Sequence, residues 1–116
     1  MEIQLKRIYE SKSEKDGQRI LIDRVWPRGI SKEKADLDVW LKEIAPSTDL
    51  RKWFGHVPER FEKFKEQYKK ELDHDEEKQE AVEKLRSYLN QGKVTLLYSA
   101  KNEKHNHAIV LKEYLS

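Results

Sequence analysis

The chain has no cysteine, which removes disulfide scaffolds and every cysteine-based zinc or redox centre from consideration. Only four glycines occur (Gly17, Gly29, Gly55, Gly92), and their spacing fits neither a Walker loop nor a dinucleotide-binding loop. No Gly-x-Ser-x-Gly elbow is present. The four histidines (His56, His74, His105, His107) lack the spacing that sets two ligands on one helix face, so no metal is expected. No apolar run approaches the roughly 18–20 residues needed to cross a bilayer. The N-terminal residues lack the apolar core of a signal peptide, and a soluble cytoplasmic domain without membrane contact is expected.

What is present is charge. Of 116 residues 40% are charged, yet three Trp, five Tyr and three Phe are too many aromatics for a disordered polymer. A chain of this length supports one hydrophobic core, so residues 1–116 are expected to form a single domain. The formal net charge of +2 is too small to imply nucleic-acid binding by itself.

Three stretches read as strands. Ile3–Ile8 alternates weakly, Ile20–Val25 is rich in β-branched residues and runs into Trp26-Pro27, and Val94–Ser99 is a continuous apolar run. Four stretches read as helices. Behind Ser31, an apolar stripe of Leu37, Leu41 and Ile44 leads to Pro46. Ser47 caps a turn carrying Leu50 and Phe54 that stops at Gly55. Pro58 opens an amphipathic helix with Phe61, Phe64, Tyr68 and Leu72 inward, and Val82, Leu85 and Leu89 line the next. After a polar loop, Ala108–Leu115 reads as a further apolar helical stretch. Helices between two continuous apolar strands favour parallel pairing of Ile20–Val25 with Val94–Ser99 at the sheet's centre. The fold class expected is α/β, a small, few-stranded, mostly parallel Rossmann-like sheet with packed helices. The first strand could pair on either side and in either direction. Phe61, Phe64, Leu72, Val82, Leu85, Leu96 and Ile109 are expected to be core.

Three clusters carry chemistry. Arg24, Trp26, Arg28 and Lys32 follow the second strand; guanidiniums fork onto phosphate or carboxylate, and an indole offers a stacking face. Structurally, Arg24 could instead pair with Asp23 or Asp36 while Trp26 sits in the core. Ser47, Arg51, Trp53 and His56 form the second cluster, in which Arg51 and His56 suit an anion; the plainer reading makes Ser47 a cap and Trp53 a core residue. Tyr98, Lys101, Asn106 and His107 follow the clearest strand, where open α/β sheets collect ligands. There His107 suits general acid–base work and Lys101 stabilisation of negative charge. The alternative is that Asn106 caps the last helix and His107 bonds to the backbone.

Four ordered motifs, Ile22–Gly29, Trp40–Ser47, Leu50–His56 and Val94–Lys101 with Asn106-His107-Ala108, resemble the YeaO-like branch of domain-of-unknown-function family 488. The resemblance spans nearly the whole chain and implies a small bacterial α/β domain with no known cofactor and no established activity. Other branches carry a cysteine and a Cys-His-Arg run near the last strand. Here Tyr98 and Asn106-His107-Ala108 stand in those places, so only His107 matches in kind and a cysteine mechanism does not transfer.

The reading that follows is a domain binding a small phosphate-bearing or nucleotide-like ligand at the carboxyl edge of the sheet. Hydrolysis or transfer at a phosphorylated or glycosidic centre is the chemistry such a pocket would serve. The alternative is a non-catalytic nucleic-acid-binding module. If Arg28, Arg51 and His107 share one cleft, their like charges call for an anion or a carboxylate such as Asp23 or Asp49 nearby.

Overall fold

The computed structural model describes residues 2–116. Four parallel strands, β1 (Ile3–Arg7), β2 (Gln18–Leu21), β3 (Val39–Trp40) and β4 (Val94–Tyr98), form one sheet in the order β1-β4-β2-β3. The central strand is β4, all five of its residues buried, as expected for a strand covered on both faces. It lies beside β2 as the two apolar runs suggest, with Ile20 opposite Leu96. The pairing of the first strand, open from sequence, is parallel to the far edge of β4, with Leu5 opposite Leu96.

Alternation along the strands divides the interior in two. Ile20, Ile22, Val94, Leu96 and Tyr98 face the main core, which is completed by the helices α2 (Thr48–Phe54), α3 (Phe61–His74), α4 (Glu76–Gln91) and α5 (His107–Leu115). The inward stripe of α3 is Phe61, Phe64, Tyr68 and Leu72, as its spacing predicts. Of the residues expected in the core, all are buried except Ile109, which is only half-buried. No helix among the described residues is long and apolar enough to cross a membrane.

The opposite face is thinner. Ile8, Leu21, Leu97 and Ala35 pack there under Trp26, Ile30, Leu37 and Trp40. The same face holds a buried ion cluster: Lys6 Nζ lies 2.9 Å from one Asp16 oxygen and Arg19 Nη1 2.6 Å from the other. Thr95 Oγ1 donates to the Asp16 carbonyl at 2.6 Å, joining the cluster to β4. Next to it the chain passes so close to Lys93 that a Cβ on Gly17 would stand 2.3 Å from the Lys93 carbonyl oxygen, at a φ of 66°. Only glycine fits there.

Two expectations are corrected. The Leu37, Leu41, Ile44 stripe is not a helix. Ser31 caps a single turn, α1 (Lys32–Ala35), which Asp36 ends in a left-handed conformation at φ 42°. The chain then extends, because Asp38 and Leu41 donate backbone hydrogen bonds to the Arg19 and Leu21 carbonyls at 2.8 and 2.9 Å. Sheet pairing thus overrides a coincidental helical spacing and yields a fourth strand. Secondly, β2 stops at Leu21 and does not run to Val25, which is 60% exposed. Ile22 still donates to Leu97 O at 3.1 Å, but from Asp23 onward side chains replace the ladder.

The ion cluster sets acid stability. Burial alone would raise the Asp16 carboxyl pKa, but hydrogen bonds from Lys6, the Ser13 amide and Arg19 bring it below its ordinary 3.8. A depressed carboxyl contributes stability that is present above the unfolded pKa and lost as pH falls through the lower folded one. Asp16→Asn strands two buried cations and is expected to cost about 3–5 kcal/mol at neutral pH. Urea melts at pH 7 and below pH 4 check this: the variant's deficit should shrink in acid, and a deficit independent of pH would contradict the assignment.

Candidate functional site

The carboxyl ends of β1, β2 and β4 open onto a cavity of about 740 Å³, within the usual range for small-ligand sites. One wall is the loop after β2, residues 23–28. Ser99 to Asn102 follow β4, Asn106 and His107 begin α5, and Tyr9 follows β1. Arg51, Lys52, Phe54 and His56 come from α2 and the turn beyond it, and Phe64 of α3 forms the floor.

Hydrogen bonds fix the loop that carries the arginines. Trp40 Nε1 donates to the Asp23 carbonyl at 2.6 Å and Trp26 Nε1 to the Ile30 carbonyl at 2.7 Å, the two indoles meeting edge to face at 5.4 Å. Trp26 therefore lines the cavity with its polar edge already used. Tyr9 Oη donates to the Arg28 carbonyl at 3.0 Å. Across the cavity, Arg7 holds the start of the next loop through the Ala100 carbonyl at 2.9 Å and the Ser99 carbonyl at 3.2 Å. Gly55 (φ 52°) and His56 (φ 59°) take consecutive left-handed conformations, and the second, rare for a residue with a side chain, sets His56 on the cavity wall.

Asp23 is the hub. One carboxylate oxygen accepts from Ser99 Oγ at 2.5 Å and from the Ser99 amide at 3.1 Å, and the other stands 3.4 Å from His107 Nε2. His107 Nε2 lies 3.0 Å from the Ile22 carbonyl. Burial lowers the His107 pKa from its ordinary 6.5, opposed by Asp23 and the Ile22 carbonyl and reinforced by Arg51 and His56. The neutral ring is therefore the resting form near pH 7.

The electrostatics are lopsided. Arg24, Arg28, Arg51, Lys52 and Lys101 line the cavity, and among the described residues Asp23 is the only carboxylate that does. Arg24 pairs with neither Asp23 nor Asp36; the latter binds Lys12 instead. Among the described residues Arg24 has no ion-pair partner, and its Nε is fully buried without a hydrogen bond. An unsatisfied buried donor costs on the order of 1–3 kcal/mol and calls for a partner.

Arg24, Trp26, Arg28, Arg51, His56, Lys101, Asn106 and His107, scattered in sequence, thus meet at one cavity. Lys32, Trp53 and Tyr98 do not line it. Lys32 is exposed on α1, and Tyr98 points into the main core, 3% exposed. Trp53, neither cavity wall nor core, is 42% exposed beneath the Arg60 guanidinium, 5.6 Å from its ring. Asn106 is at the wall but fully used: Oδ1 caps α5 through the Ile109 amide at 3.0 Å and Nδ2 donates to the Asn102 carbonyl at 2.9 Å. Ser47 likewise caps α2 by accepting from the Leu50 amide at 3.2 Å while its hydroxyl donates to Glu71. The sequence reading passed over Ser99 and Lys52 and treated Asp23 only as a counter-charge. For Ser99 and Asp23 a signal existed, since both are polar residues closing apolar runs at the carboxyl edge.

Removing the Asp23 carboxylate leaves the Ser99 amide and hydroxyl without an acceptor. Asp23→Ala is expected to destabilise the fold by about 1–3 kcal/mol, and Ser99→Ala by less, because it deletes a donor and leaves the amide bond intact. Thermal melts of both variants check the order; a costlier Ser99→Ala would contradict Asp23 as the hub.

The whole described chain, residues 2–116, matches the family model described as "Inactive DUF488-N3 subclade". It is 47% identical over 115 residues to the uncharacterized protein YeaO of Escherichia coli (strain K12), covering 99% of this chain and 97% of that one. Uncharacterized proteins of Mycobacterium tuberculosis (Rv3073c, strain H37Rv) and Mycobacterium bovis (Mb3100c) are each 39% identical over 114 residues, with 98% and 93% covered. No solved structure matches significantly. The chain belongs to the DUF488 family, in its YeaO-like branch.

Proposed function

We propose that this domain binds a small phosphate-bearing, nucleotide-sized ligand in the cavity at the carboxyl edge of the sheet and holds it without turnover. The observation that carries the reading is the lopsided charge of the cavity, where five cationic side chains, Arg24 among them without an ion-pair partner, meet one carboxylate among the described residues. Gathering like charges is costly, about 4 kcal/mol for a pair 4 Å apart at an effective dielectric near 20, and a bound dianion repays it. Phosphate suits the guanidinium forks, and the apolar parts of Phe54, Phe64, Pro27 and Ala45 suit the uncharged remainder of such a molecule.

Binding without turnover is supported by the way Asp23 is used. His107 Nε2 is committed to the Ile22 carbonyl and Asp23 to Ser99, so the carboxylate serves the serine and does not orient a His–Ser pair as in a hydrolytic triad. The subclade's description as inactive agrees. Non-specific nucleic-acid binding is disfavoured on the α3 surface, where Glu62 with Lys65 and Glu66 with Lys70 mix the charges that phosphates would meet.

Arg24→Ala and Arg28→Ala are expected to leave the melting temperature unchanged or slightly raised in phosphate-free buffer. For the unsubstituted protein, ligand at a hundred times its Kd adds about 2.7 kcal/mol, roughly 10 °C for a domain of this size. Both variants should lose most of that gain. Melts with and without inorganic phosphate test it: variants that lose stability yet keep their phosphate response would make the arginines structural and end the pocket reading.

A further inference from the structure

His107 carries an acceptor at a cavity lined mainly by cationic donors. The Ile22 carbonyl, 3.0 Å from Nε2, can only accept, so Nε2 carries the hydrogen and Nδ1 the lone pair. Nδ1 has no hydrogen-bond partner among the described residues. It is not among the fully buried polar atoms that lack one, and the His107 side chain, 14% exposed, lines the cavity. The charged and titratable groups around the ring are Asp23 from the loop after β2, Arg51 of α2, His56 beyond it, and Tyr68 of α3, whose ring lies 6.4 Å away and whose hydroxyl is spent on the Ile44 carbonyl. On α5 itself the preceding Asn106 is spent on the cap.

An unprotonated anion set against Nδ1 brings lone pair against lone pair. One added proton removes the conflict, carried either by the imidazole or by the ligand's own oxygen. We propose that the cavity binds its anionic group together with one proton shared between the ligand and His107 Nδ1, and that its ligand is therefore a terminal phosphate monoester rather than a sulfate or a phosphodiester. This deepens the binding reading above and rests on it. A phosphate monoester has its second pKa near 6, so near neutrality it is mostly a dianion whose oxygen takes up the shared proton from solvent at little cost. Sulfate and phosphodiester oxygens are far too weakly basic to accept it, so there the ring alone must take the proton up from solvent. Burial and the neighbouring Arg51 oppose that uptake in the free protein.

The test is calorimetric titration of inorganic phosphate and of sulfate between pH 6 and 8.5, in two buffers of different ionisation enthalpy, with the protein and its His107→Gln and His56→Gln variants. Sulfate should bind with uptake of close to one proton and weaken about tenfold per pH unit above neutrality. Phosphate should bind several-fold more tightly than sulfate at pH 7.5. His107→Gln should abolish both the uptake and the preference, and in His56→Gln the uptake should persist whatever happens to the affinity. Sulfate binding without proton uptake, or uptake that vanishes with His56 instead, overturns the proposal while leaving the pocket standing. Absence of binding by either anion at every pH ends the pocket reading and this inference together. Should His107→Gln fail to fold, the ring nitrogens of His107 in the unsubstituted protein decide by NMR. Nδ1 should show a lone pair in the free state at pH 7.5 and an N–H at saturating sulfate, and an unchanged Nδ1 overturns the proposal.

Discussion

The Asp23 carboxylate ties the carboxyl edge of the sheet together. It takes over where the β2 ladder stops and anchors the chain leaving β4 through the Ser99 amide and hydroxyl. It also stands beside the His107 ring at the start of α5. Three segments distant in sequence are thereby held around one point, and the cavity exists because they diverge from it. Among the described residues Asp23 is also the only negative charge in that wall, and with its acceptor capacity directed to Ser99 it leaves the nearby guanidiniums largely uncompensated. Structural economy and a positive pocket therefore have the same cause.

The opposite face of the sheet solves a similar problem differently. Lys6 and Arg19 also bring buried positive charge together, but Asp16 answers both at 2.9 and 2.6 Å, and Arg19 spends its other donors on the Ala35 and Asp36 carbonyls. That cluster is closed and needs nothing from outside. The comparison gives the cavity its meaning: where this chain buries cations for structure, it supplies their partners, and at Arg24 it does not.

Much of this architecture could be read from residue order, and the failures have physical causes. Continuous apolar runs revealed β2 and β4 as neighbours because strands covered on both faces have no polar side to show. The α3 and α4 stripes were legible because one face of each meets the core. Val39–Trp40 was missed because two residues carry no periodicity, and their extension is imposed by bonds to the Arg19 and Leu21 carbonyls. At the candidate site, Arg28, Arg51 and His107 stood out in the sequence and line one cavity, but which arginine lacks a partner depends on where Asp23 and Asp36 point. Trp53, expected at the ligand site or, on the plainer reading, in the core, lies in neither, because on a helix of seven residues the position beside Phe54 already faces outward.

The most direct test of the account is residue-resolved: amide chemical shifts of the labelled protein followed while inorganic phosphate is added. The account predicts saturable shifts confined to the cavity, at residues 23–28, around Arg51, and at Ser99 to Asn102 and His107. Shifts that fail to saturate, or that spread over the outer faces of α3 and α4 and leave Arg24 unmoved, would contradict it.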